Sequence, residues 1–144
     1  MKKSITIVFL LVSVLAFSQK VKMKKDKVII DDVEVYNFEE EGRMTTFSTL
    51  SNEEFASVVT TSYQERNQGY NPRYSSSPQY LNHTVYTVKF LSSGKEVTTD
   101  IGIKKIAAAL YKSEMIDANG KIDEEKLNIF INKYNNENLK LKIN

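Results

Sequence analysis

Residues 84–111 read TVYTVKFLSSGKEVTTDIGIKKIAAALY, and this stretch decides the fold. It opens at period two. Tyr86, Val88 and Phe90 fall on one face of a strand, and Val85, Thr87 and Lys89 fall on the other, more mixed face. Ser92-Ser93-Gly94 turns the chain, and Glu96 to Ile101 returns it as a second strand. The period then changes. Ile103, Ile106, Ala107, Leu110 and Tyr111 recur at helical spacing, which is the apolar stripe of an amphipathic helix.

Working back toward the N-terminus, the chain stays β-rich. Val28-Ile29-Ile30 and Val33 to Phe38 flank Asp31-Asp32 and predict a hairpin. Glu39-Glu40-Glu41-Gly42 reads as the next turn. Met44 to Leu50 gives a third strand, Ser51-Asn52 a turn, and Phe55 to Tyr63 a fourth strand. Gln64 to Asn82 holds Gly69, Pro72 and Pro78, serines and tyrosines, with almost no aliphatic residue. It cannot bury much surface and is expected to be a long loop.

Working forward, Asp117-Ala118-Asn119-Gly120 ends the first helix. Asp123 caps a second helix, with Glu124 and Glu125 in its first turn and Leu127, Phe130, Ile131 and Tyr134 as its stripe. Asn135-Asn136 ends it. The tail from Leu139 to Ile143 alternates, and is expected to add an edge strand or to fray. The expected architecture is α+β: an antiparallel meander of about five to six strands, then a helical hairpin packed on one sheet face. Leu110, Phe130, Ile131, Tyr86, Val88 and Phe90 are the expected core. The other face meets water or a partner.

The first residues have the layout of a cleavable signal peptide. Lys2 and Lys3 precede an apolar run from Ile5 to Leu15, and Ala16-Phe17-Ser18 places small residues for a cut before Gln19. The run is shorter than the roughly 20 residues of a membrane span. The expectation is one exported domain over residues 19–144, with no stable membrane insertion after cleavage. The chain has no cysteine, so it forms no disulfide, Cys-ligated zinc site or lipid-modified cysteine. It carries 20 basic and 18 acidic residues, and loss of Lys2 and Lys3 leaves the remainder formally neutral. That balance argues against a nucleic-acid binder, which carries a basic surplus.

Few residues point to chemistry. Asp117, Asn119, Gly120 and Asp123 imitate a calcium loop, but Met115 and Lys126 would stand at its first and last ligand positions. No metal or cofactor is expected. His83 is the only histidine and lacks an evident catalytic partner. Glu39, Glu40 and Glu41 read as a solvated charge run. The candidate binding residues are Tyr63, Arg66, Tyr70, Arg73, Tyr74 and Tyr80, because recognition loops favour rigid aromatic area mixed with hydrogen-bonding groups.

The signal ending Ala16-Phe17-Ser18 before Gln19, the run Lys24-Lys25-Asp26-Lys27 leading into a first hairpin, and the helical hairpin from Tyr111 to Tyr134 carry a resemblance. The chain resembles the small exported proteins of unknown function abundant in Bacteroidota. The resemblance implies a diderm envelope, hence a periplasmic or secreted location, and carries no activity or functional residues. The expected function is a non-catalytic binding module whose partner is an envelope protein or glycan. The alternative is a small envelope hydrolase using carboxylates or His83.

Overall fold

The computed structural model describes residues 19–74 and 76–144; the expected signal peptide lies outside them. Seven strands form one antiparallel sheet in chain order: β1 Val21–Lys24, β2 Lys27–Ile30, β3 Val33–Glu41, β4 Met44–Ser48, β5 Glu54–Arg66, β6 Tyr80–Phe90 and β7 Glu96–Thr99. Three helices follow: α1 Ile103–Lys112, α2 Glu124–Tyr134 and α3 Glu137–Ile143. The architecture is the expected α+β meander, with more strands and one more helix than the sequence pattern gave.

The extra strand is β1. Its Val21 and Met23 pair with Ile30 and Val28, and both lie against the core. Alternating lysines hide this strand in the sequence, because they give the segment the look of a charge run. Lys25 and Asp26 form the turn that follows, at φ +51° and +62°. Asp31 and Asp32 repeat it at +51° and +65°. Positive φ at both central residues is the turn geometry whose twist matches flanking strands. Glu39 to Glu41 belong to β3 rather than to a turn. Their side chains are exposed, and Gly42-Arg43 closes the hairpin.

Two bulges break the alternation where the core needs it. Val28 pairs with Tyr36 but Ile29 with Glu34, so Val35 is the extra residue. Phe47 pairs with Ala56 but Ser48 with Glu54, so Phe55 is the extra residue. A bulge turns adjacent side chains toward one face. Tyr36 and Phe55 thereby meet, with ring centroids 4.9 Å apart.

The main core lies between one sheet face and the α1–α2 pair. Val28, Phe47, Val58, Val88, Phe90 and Val97 from the sheet meet Ile106, Leu110, Leu127 and Phe130 from the helices. Of the expected core, Leu110, Phe130, Val88 and Phe90 are buried, whereas Tyr86 and Ile131 are only partly so. Asp123 caps α2 by accepting from the Glu125 and Lys126 amides. α1 stops earlier than expected, at Lys112. Residues 113–123 form an irregular connection held by a bridge between Ile116 and Ile122.

The tail is neither an edge strand nor frayed. The Asn136 side chain accepts from the Asn138 and Leu139 amides and starts α3. Only Leu139 of its apolar residues is buried, and Leu141 stays exposed. The chain reaches α3 by passing the outer edge of β7. There Asn135 Oδ1 accepts from Thr98 N at 2.9 Å, and Asn136 N donates to Thr98 O at 2.8 Å. α3 then lies on the sheet face opposite α1 and α2, beside Tyr63 and Glu65 of β5.

Candidate functional site

The expected loop at residues 64–82 is mostly strand. β5 and β6 pair without interruption from Ala56↔Phe90 to Arg66↔Tyr80. β4 leaves β5 at Val59, and β7 leaves β6 at Tyr86. Residues 61–66 and 80–85 therefore pair only with each other and form a two-stranded arm that outruns the sheet. Threonine, tyrosine and valine favour this extended state.

Of the described residues, only 67–74 and 76–79 remain as a loop. Asn67 organises it. Its amide donates to Gln79 O at 2.9 Å, its Nδ2 to Pro78 O at 2.9 Å, and its Oδ1 accepts from Gly69 N at 3.0 Å. Asn71 repeats the last device, accepting from Arg73 N at 3.0 Å. Asparagine makes such turns because its side chain imitates a backbone carbonyl. Tyr70, Arg73 and Tyr74 ride on these turns, while Arg66 and Tyr80 stand opposite each other where the arm meets the loop. Tyr74 is 67% exposed and Tyr80 50%, Arg66 and Arg73 are exposed, and Tyr70 is half-buried.

Tyr63 differs from the other five. It sits down the arm, stacked on His83 with centroids 5.0 Å apart. Lys142 of α3 lies 5.3 Å over its ring and binds Glu65 at 3.3 Å. The hydrogen bond and charge of Glu65 hold the Lys142 ammonium above its ordinary range. His83 Nε2 is 3.6 Å from Glu65 Oε2, beyond hydrogen-bond reach, and is shielded from water. This four-residue cluster braces the arm, and it takes up Tyr63 and His83 in packing.

A second concave site was not legible in the sequence. It is a cleft of about 470 Å³ between the β4–β5 turn and the α1–α2 connection. Val35 and Tyr36 of β3, Thr49 to Ser51 of the turn, Tyr111 of α1, and Glu114 and Ile116 to Ala118 of the connection line it. Ser51 Oγ donates to Ala118 O at 2.9 Å and ties its two walls together. Gly120 lets them approach: a Cβ there would stand 3.0 Å from the Glu53 Cβ, and its φ is +78°. The signal for this cleft was the pair of broken alternations at Val35-Tyr36 and Phe55-Ala56, but the partners across it lie too far along the chain to be paired by pattern.

The Tyr36 hydroxyl is pushed well above its ordinary range by burial and, after that, by Tyr111, so it remains a neutral donor and acceptor. Asp117 Oδ1 accepts from the Asn119 and Lys121 amides, both at 2.9 Å. The apparent calcium-loop carboxylate is thus a turn-forming group. Among the described residues no cluster of three His, Cys, Asp or Glu is placed to hold a metal, and no helix is long and apolar enough to cross a membrane. No family model matches this chain, and neither a curated protein nor a solved structure matches it.

Proposed function

We propose that the chain is an exported envelope module that binds an envelope protein or glycan through the tip of the β5–β6 arm, without catalysing a reaction. The observation that carries this reading is the arm itself. Residues 61–66 and 80–85 leave the sheet and hold Arg66, Arg73, Tyr74 and Tyr80 out into solvent. Apart from Val85 at its base the extension buries no side chain in the core, and exposed tyrosines flanked by arginines supply contact area at low conformational cost. The Asn67 and Asn71 turns support the reading, since an organised loop loses less freedom on binding.

The test replaces Tyr70, Tyr74 and Tyr80 together by Ser. Capture of the partner from envelope extract should be lost, with the melting temperature nearly unchanged. Retained capture would move recognition off the arm. The alternative reading, a hydrolase, draws on the imidazole–carboxylate approach of His83 and Glu65. It requires turnover of an envelope substrate that His83→Ala abolishes.

A further inference from the structure

The cleft beside α1 has a chemical bias that the arm does not share. Its volume of about 470 Å³ falls in the usual range of small-molecule sites, roughly 300–1,000 Å³. Its walls are apolar and aromatic, and Leu50 and Tyr111 stay exposed there at 51% and 42%. Tyr111 meets Tyr36 edge to face, with centroids 6.3 Å apart at 79°, which leaves its outer ring surface free. The only charged side chains on the lining are Glu114 and Asp117, both acidic.

Glu114 stands out on its backbone as well. It follows the C-cap Ser113 at φ +50°, a position that helices usually give to glycine. A side chain there is strained, and strain of this kind gathers at ligand clamps. Its carboxylate takes part in no ion pair among the described residues. Lys126 donates to the Glu114 carbonyl at 3.1 Å instead.

We infer that this cleft binds a small amphiphilic cation, an amine on an aromatic or aliphatic body, with the ammonium at Glu114 and Asp117 and the body against Tyr111, Leu50 and Ile116. Two carboxylates favour an ammonium by charge, and the exposed Tyr111 ring with Leu50 and Ile116 favours its apolar body. A lining without lysine or arginine gives an anion nothing to pair with. The site shares no residue with the arm, so either reading can fail alone.

Phenethylamine is the probe, with phenethyl alcohol and 3-phenylpropionate as its neutral and anionic counterparts. Amide NMR titration of the protein should show saturable shifts with the amine, centred on Leu50, Tyr111 and residues 114–118. The alcohol should bind about tenfold more weakly, as loss of one charge-assisted contact implies, and the propionate should not bind. Glu114→Gln should lower amine affinity about tenfold, since the amide keeps the shape and removes the charge. Its melting temperature should not fall. Saturable shifts elsewhere, equal affinity for the three probes, parental affinity in Glu114→Gln, or no saturable binding would each overturn the inference.

Discussion

Asp26 holds a left-handed backbone at φ +62° with a side chain that makes no hydrogen bond among the described residues. Asp26→Gly should raise stability by about 0.5 kcal/mol, because relief of that conformation outweighs the freedom gained by the unfolded chain. Differential scanning calorimetry reads this as a rise in melting temperature. In the core, Leu110 is fully buried, and Leu110→Ala should cost about 2–5 kcal/mol in chemical denaturation. Ile131 is only partly buried, so Ile131→Ala should cost about 1 kcal/mol. The sequence placed each on the apolar stripe of its own helix and expected both to be buried. Periodicity fixes which side a residue faces, whereas depth depends on what covers that side. The same limit hid Tyr36 and Phe55, whose inward turn comes from bulges that no local pattern announces.

At the scale of elements, the helix starts and tight turns were legible because their chemistry is local. Asp123 caps α2 as expected, and Asp31-Asp32 makes the expected turn. The tail was misread because Leu139, Leu141 and Ile143 alternate, yet Asn136 and Glu137 favour a helix start and only Leu139 has a surface to cover. That helix braces the arm. Removing residues 137–144 should leave the α1–α2 core folded and speed amide exchange in residues 61–65 and 83–85. The brace also depends on pH. Lys142 keeps its proton above its ordinary value of 10.5 because of Glu65, so the contribution is complete below pH 10.5 and is lost as pH rises through the raised value. Alkaline exchange rates in the arm should therefore climb ahead of those in the core, and Lys142→Met should remove the difference. Composition singled out these tyrosines and arginines as candidates but misplaced part of the segment, since a Tyr- and Ser-rich run reads equally as loop or as exposed strand.

For the whole molecule, the class was readable in the change of period after Ile101, and the strand count was not, because lysines disguised β1. Those lysines act at the sheet's margin. Lys20, Lys22 and Lys24 charge the β1 edge, while Asn135 and Asn136 occupy the β7 edge at Thr98. Unpaired edges recruit other chains, and both devices oppose that. Asn135→Ala leaves the buried Thr98 amide without its acceptor and should cost about 1–3 kcal/mol, with increased light scattering at high concentration. The strand order has a consequence in time. Each strand pairs with the one just before it, so every hairpin can close as soon as its second half leaves the ribosome. The residues that cover the sheet's apolar face, Ile106 to Phe130, are made after all seven strands. Were the chain to fold as it is made, at roughly 5–20 residues per second, that face would stay uncovered for a few seconds. Until those helices arrive the sheet's apolar face lies open, an interval set by the order in which its parts are made.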